Sequence, residues 1–324
     1  MAVKRLIAFV FGALVLVAGW GFVEPRLVLD ETHREASIPG LPEAWDGARI
    51  AVMADWQTGM WLANEGMIRR GIARVVAQAP AALLLAGDFL YQPVDEESAQ
   101  EANEELEPED LKEIEAQIAR TVELLRPVLA AGIPVYAVLG NHDYLKEEFE
   151  SAAVSGVADQ LANALRSAGV TVLRNEAVAL PPPKGRSPVA GARSLYLGGI
   201  DSLLAGRAEP ERMLAAIPQG APRLVLMHNP DVFAKLPASS APLALAGHTH
   251  GGQMRVPGFP RWSWMALRAS GRVTVDGWIH DYGAPGNRLY VNRGIGFSTA
   301  PMRINCPPEL TWFTLRAQPS GETR

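Results

Sequence analysis

Leu243-Ala244-Leu245-Ala246-Gly247-His248-Thr249-His250 joins a short apolar run, through one glycine, to two imidazoles separated by a single residue. An apolar run this short, bounded by turn chemistry, reads as a strand covered on both faces. The same pattern recurs upstream. Residues 50–54 end at Asp55-Trp56-Gln57, residues 82–86 at Gly87-Asp88, residues 135–139 at Gly140-Asn141-His142-Asp143, and residues 224–227 at His228-Asn229. Residues 195–197 give a further strand candidate, and helical periodicity marks 65–78, 111–129 and 158–168. Strands alternating with helices predict an α/β fold. In open α/β sheets the ligand crevice lies at the carboxyl ends of the strands. Five strand ends would therefore bring the carboxylates Asp55 and Asp88, the amides Gln57 and Asn141, and four imidazoles to one edge. Alone, Asp-X-Gln or a strand followed by Gly-Asp is a commonplace loop pairing. Five such endings holding four of the six histidines are not.

The 324 residues are 48% apolar and 20% charged, which excludes a disordered, collagen-like or multi-span membrane chain. A net charge of −5 argues against a nucleic-acid partner. One cysteine, Cys306, excludes an intrachain disulfide framework and a cysteine-based zinc cluster. Metal ligands would then be His, Asp, Glu, Asn or Gln. Asp95 to Glu115 holds 11 acidic residues and one lysine, leaving 29 basic against 24 acidic residues elsewhere. That mildly cationic body suits an anionic substrate or a membrane surface. The acidic stretch reads as a solvated helical insertion, with a lid or docking segment as the alternative.

Lys4 and Arg5 precede an uncharged stretch from Leu6 to Val23. At ~1.5 Å per residue it would reach about 27 Å as a helix, close to the hydrocarbon thickness of a bilayer. A retained membrane anchor over residues 1–24 is the favoured reading. A cleaved signal ending near Val17-Ala18-Gly19 is the alternative. Basic residues before the span predict a cytoplasmic N-terminus and an extracytoplasmic catalytic domain, secreted or periplasmic if the segment is cleaved. Residues 25–48, with Pro25, Pro39, Gly40 and Pro42, read as a tether. Residues 49–318 are then the catalytic domain, with the acidic insertion at 93–117.

The strand-end motifs resemble those of the calcineurin-like metallophosphoesterases from about Arg49 to Leu315. Gly247 to Gln253, and the tail running from Asn292-Arg293-Gly294-Ile295-Gly296 to Arg303-Ile304-Asn305-Cys306-Pro307-Pro308-Glu309, look like the bacterial membrane-associated branch. The resemblance implies a four-layer α/β/β/α sandwich behind an N-terminal hydrophobic helix. It also implies hydrolysis of a phosphomonoester or phosphodiester by a hydroxide activated between two divalent ions. Mn²⁺ is the ion expected, with Fe, Zn, Ni or Mg as alternatives. By position, Asp88 would bridge the two ions. Asp55, Gln57 and His250 would complete the first site, and Asn141, His228 and His248 the second. His142 would face the substrate as acid or phosphate contact beside Asn141, with Asp143 orienting it. A carboxylate suits the bridging role, because its two oxygens can hold ions ~3.5–4 Å apart.

This chain departs from the family pattern at Gln57, where a histidine is expected. An amide oxygen is a harder and weaker donor than imidazole, which favours Mn²⁺ over Zn²⁺ in the first site. Two other readings stay open: a water in place of Gln57, or a lost first metal. Downstream, Trp262 and Trp264 stand between Arg261 and Arg268. They read equally as an interfacial loop touching lipid or as aromatics packed beneath a loop. Arg293 and Arg303 are candidate phosphate or carboxylate clamps, though at least one is expected to serve structural ion pairing. Cys306 reads as a small buried residue. The expected substrate is a lipid-linked or envelope phosphoester, with the membrane as partner through the N-terminal segment. The competing reading is a non-hydrolytic lipid-phosphate binding protein with a weakened first metal site.

Overall fold

The computed structural model describes residues 2–91, 106, 108–146, 154–187, 191, 193–256, 259–268, 273 and 275–318. β2 (Arg49–Met53) from Ile50 onward and β3 (Ala82–Leu85) along its whole length are apolar and buried because both faces are covered. Ile50, Val52 and Leu84 join one core cluster, while Ala51, Met53, Leu83 and Leu85 join another. That alternation is the two-residue period of a strand.

The first sheet has the order β1 (Asp30–Ile38), β14 (Glu309–Ala317), β2, β3, β4 (Val135–Ala137), β5 (Thr171–Val172). β2 to β5 run parallel, and β14 lies antiparallel to β2. The second sheet has the order β12 (Gly277–Ile279), β13 (Leu289–Val291), β9 (Ala244–Ala246), β8 (Arg223–Leu226), β7 (Tyr196–Gly199), β6 (Glu176–Ala179). Leu224, Leu226, Leu243 and Leu245 meet Ile50, Val52, Leu84 and Phe313 in the core between the sheets. α2 (Glu65–Gln78), α3 (Pro108–Ala130) and α4 (Ser155–Ala168) cover the outer face of the first sheet with Ile72, Leu125 and Leu161 among others. α5 (Pro210–Ala215) and a 3₁₀ turn over Pro230–Lys235 cover the second, through Met213 and Phe233. The four layers expected from the sequence are therefore present.

Residues 25–48 are not the tether expected. Residues 30–38 are an edge strand, β1, paired parallel with β14 from Asp30 opposite Glu309 to Ile38 opposite Ala317. Its sequence is polar because only Ala36 and Ile38 are buried, as suits an edge. Trp45 is buried in the inter-sheet core, so the folded domain begins well before Arg49.

α1 (Ala2–Leu27) is long and apolar enough to cross a membrane, and most of its residues are exposed. Its last turn is fastened to the domain. Pro25 has no N–H for the Gly21 carbonyl, its partner one turn earlier, and the Arg303 N–H donates to that carbonyl instead (2.8 Å). The buried Glu24 carboxylate accepts from the N–H groups of Asn305 (2.9 Å) and Cys306 (3.2 Å). Asn64 then donates to the Pro25 carbonyl (2.9 Å) and the Ile295 carbonyl (3.0 Å). Near this junction β10 (Arg255–Val256) and β11 (Phe259–Ser263) form a small antiparallel pair that leads into α6 (Trp264–Arg268). Most of the acidic insertion expected over 93–117 lies outside the described residues; from Pro108 it opens α3.

Candidate metal centre

The hydrogen-bond ladder between β2 and β3 continues past both strands. The Asp55 N–H donates to the Gly87 carbonyl and the Gln57 N–H to the Asp88 carbonyl, each at 3.0 Å. β9 is tied to the same edge by the His248 N–H, which donates to Asp55 Oδ1 (3.0 Å) and Oδ2 (3.2 Å). From the end of β8, His228 donates through Nδ1 to the Ala86 carbonyl (2.7 Å), which aims Nε2 inward. Asp55, Gln57, Asp88, His248 and His250 all have positive φ, between 45° and 73°. That conformation costs a non-glycine residue on the order of 1–3 kcal/mol, and it concentrates at functional sites.

Two side-chain groups form at this edge: Asp55 with Asp88 and His250, and Asp88 with His228 and His248. Within each group the ligand atoms lie within 4.8 Å of one another. Asp88 belongs to both, which is the partition expected from motif position. His228 Nε2 lies 3.1 Å from Asp88 Oδ2, and His250 Nε2 lies 3.9 Å from Asp55 Oδ1. Gln57 stands in the first group, with Nε2 at 3.5 Å from Asp88 Oδ2 and 3.3 Å from His250 Nε2. Turned end for end, the same amide presents its oxygen to those ligand atoms. It can therefore donate to them, or offer an acceptor to a cation they hold. Asn141 donates to the Lys146 carbonyl (2.7 Å), and its side-chain oxygen accepts from Asn229 Nδ2 (3.3 Å). His142 donates its backbone N–H to Asp88 Oδ1 (2.9 Å), and its ring stacks on Tyr91.

Divalent cations fit these residues. Gln57 Oε1 and His142 Nδ1 are buried at this edge without a hydrogen-bond partner among the described residues, a condition native proteins seldom leave unmet. Close packing around the carboxylates points the same way. A Cβ on Gly140 would come within 2.0 Å of Asp88 Oδ1, and one on Gly294 within 2.5 Å of Asp55 Oδ2. Only glycine lets the neighbouring loops close on those oxygens.

Burial pushes the Asp55 carboxyl up to about 7; the Asp88 charge adds to this, and His228 opposes it. Burial alone would raise Asp88 too, but His228 and His142 hold it below the usual carboxylate range. Burial lowers His228, yet the Asp88 carboxylate overrides it and lifts the imidazole to about 9. Burial and the neighbouring His228 push His248 down to about 3, and burial with Arg303 holds His250 well below its ordinary value. A pH dependence follows. Above pH ~6.5 the unfolded chain has ionised its carboxylates and lost its imidazole protons. The folded metal-free protein still carries protons on Asp55 up to about 7 and on His228 up to about 9. Folded binds more protons than unfolded, so metal-free stability falls as pH rises between 6.5 and 9. From pH 6.5 to 8.5 the loss should be roughly 3 kcal/mol, about 6 °C in Tm, measured by thermal unfolding in chelator. Saturating Mn²⁺ displaces those protons and should flatten the slope. A Tm that climbs with pH in chelator would contradict this account.

Asp143 does not orient the His142 ring. Its Oδ1 accepts from the N–H groups of Phe89 (2.8 Å) and Leu90 (3.0 Å), and its Oδ2 from those of Gly140 (2.8 Å) and Asp88 (3.1 Å). It locks the loops after β3 and β4 together. Nor are the two arginines free to clamp a phosphate. Arg293 pairs with Asp30 and lies 3.2 Å from Glu309 and 3.5 Å from Asp276. Arg303 is fully buried and donates to the carbonyls of Gly296 (2.7 Å), Arg293 (2.9 Å) and His250 (3.2 Å), with Nη2 3.4 Å from His250 Nδ1. It positions His250. Cys306 is buried as expected, its Sγ donating to the His250 carbonyl (3.3 Å). Asn229 joins the residues expected at the site. It holds Asn141 and accepts from the Leu203 N–H (2.9 Å), and its place directly after His228 is the only sequence cue.

A four-layer sandwich with two carboxylate–imidazole groups sharing one aspartate is a site of the metallophosphoesterase kind. The chain belongs to the calcineurin-like phosphoesterases, whose family model matches residues 48–252. It is 25% identical over 326 residues to an uncharacterized metallophosphoesterase, YkuE, of Bacillus subtilis (strain 168), covering 98% of each chain. It is 30% identical over 250 residues to the phosphodiesterase YaeI of Escherichia coli (strain K12), covering 77% of this chain and 75% of that one. It is 22% identical to the UDP-2,3-diacylglucosamine pyrophosphatase LpxG of Chlamydia trachomatis, covering 93% of each.

Proposed function

We propose that the protein is a phosphoester hydrolase using two divalent ions, Mn²⁺ foremost, held to a membrane by α1 and acting on a lipid-linked or envelope phosphoester. The carrying observation is the pair of Asp/His groups that share Asp88, with the unpaired buried Gln57 Oε1 and His142 Nδ1 beside them. Asp55, Gln57, Asp88 and His250 would hold one ion, and Asp88, Asn141, His228 and His248 the other. Bound there, the ions supply Lewis acidity and positive charge toward a phosphoryl group. His142, fixed by its backbone bond to Asp88, can hand a proton to the leaving oxygen, a step typically contributing ~10²–10⁴-fold. The low pKa of His248 and His250 keeps both imidazoles neutral and able to ligate. Two relatives named for a phosphodiester and a diacylated sugar nucleotide support a diester or acylated substrate. Lys4 and Arg5 in the first turn of α1, ahead of its apolar stretch, support a cytoplasmic N-terminus with the domain on the other side. A C-terminal reporter fusion tests that placement.

Turnover of bis-p-nitrophenyl phosphate with added Mn²⁺ tests the reaction. Absence of turnover with Mn, Fe, Zn, Ni or Mg would favour the non-hydrolytic binder, for which the amide at Gln57 is the one supporting feature. Gln57→His probes the first group directly. An imidazole in that position should tighten Zn²⁺ on the order of tenfold, about 1.4 kcal/mol, read by metal competition. Unchanged zinc affinity would remove Gln57 from the ligand set.

A further inference from the structure

A cavity of about 1300 Å³ lies between α1 and the β10–β11–α6 segment, larger than the about 300–1,000 Å³ usual for small-molecule pockets. Leu16, Val17 and Trp20 of α1 form one wall, and Met254, Trp262 and Leu267 the other. Leu16, Trp262 and Leu267 are 76%, 71% and 86% exposed. Apolar surface this open and contiguous marks a site for an apolar neighbour.

The chemistry of that neighbour follows from where the walls come from. One wall is part of the only helix among the described residues long and apolar enough to cross a bilayer, so it is continuous with hydrocarbon. The helix is also seated rather than loose, through Gly21 and Glu24 on the 303–306 segment. The opposite wall grows out of the metal edge. The turn carrying His250 runs directly into Met254, which bridges Ile304, and Ile304 follows the Arg303 that positions His250.

We propose that this cavity holds the acyl chain of a bilayer lipid phosphoester and so sets its phosphate at the edge carrying Asp88. The proposal rests on the phosphoesterase reading for the phosphate and on α1 lying in the membrane for the chain. It makes the membrane helix a part of the substrate site as well as an anchor.

The test uses the full chain in lipid nanodiscs with Mn²⁺ and two esters, hexadecyl and methyl p-nitrophenyl phosphate. Wild type should prefer the hexadecyl ester in kcat/KM by about tenfold or more. Val17→Trp fills the cavity while keeping the span apolar, and Leu267→Asp places a charge on an exposed position of the facing wall. Each should cut the hexadecyl-to-methyl preference about tenfold. Equal use of both esters by wild type, or a preference unchanged in both variants, would overturn the proposal. If neither ester is cut, the hydrolase reading fails, and the lipid site is judged separately by photolabelling with a phosphatidylcholine carrying a diazirine at the end of its palmitoyl chain. Label on 254–267 supports the site. Label confined to α1, or a covalent dimer joined through Trp262, overturns it.

Discussion

Asp88→Asn is expected to empty both ion positions and to lower phosphodiester turnover by at least ~10³-fold. Asp88 is the single carboxylate common to the two groups, so on the proposed two-ion reading its charge would serve both ions while every other ligand would serve one. Lewis-acid stabilisation of a phosphoryl transition state is worth several kcal/mol, and about 4 kcal/mol corresponds to ~10³ in rate. Asparagine matches the shape of aspartate. Its oxygen can still accept the His142 N–H now held at 2.9 Å by Oδ1, so the backbone of the site has no reason to move. Charge alone is removed. Metal content by elemental analysis should therefore fall with the rate. His228 supplies a second, independent readout. It owes its rise to about 9 to the Asp88 carboxylate, so its titration by NMR should drop toward the ordinary imidazole range in the metal-free variant. A variant that keeps two ions, or keeps wild-type turnover, would show that the groups do not share a bridge.

The site was more legible than the frame that holds it. Ligand candidates follow apolar runs directly, since strands buried on both faces end abruptly where polar loops begin. β2, β3, β4, β8 and β9 could all be read this way, and the helix over 65–78 coincides with α2. β1 could not. Asp30 to Ile38 carries charges because an edge strand buries little, and its partner β14 (Glu309–Ala317) lies at the far end of the chain. A polar stretch between prolines looks like a tether until the pairing is seen. The arginines misled for a related reason. Arg303 stands between Met302 and Ile304 in the sequence, and nothing there reveals that its guanidinium is fully buried among carbonyls. Gln57 was legible as a departure, but its meaning depended on seeing both ends of the amide against Asp88 and His250.

Asp143→Ala should be the most damaging substitution outside the ligand set, and its signature separates two roles that sequence cannot tell apart. An aspartate beside a catalytic histidine suggests that it orients the ring. If so, its loss would slow the reaction and change its pH profile, leaving thermal stability and metal content intact. The geometry says otherwise, because both oxygens are taken by four N–H groups from the loops after β3 and β4. Alanine would strand those four buried donors, each costing ~1–3 kcal/mol when left unpaired. Relaxation will recover some of this, so about 4 kcal/mol and roughly 8 °C in Tm are expected. Asp88 and Asn141 sit in the loops released, so metal affinity should fall as well. Asp143→Asn provides the discriminating comparison. Its oxygen can satisfy one pair of N–H groups, but its NH₂ end faces the other pair donor to donor. Only part of the lost stability should return, and metal binding should return with it. Burial and the Asp88 charge push the Asp143 carboxyl up to about 7, against the pull of the N–H groups, so the neutral amide does not fail for want of charge alone. If Asp143→Ala keeps its Tm and its ions while losing only rate, the loop-fastening role is wrong and ring orientation is restored.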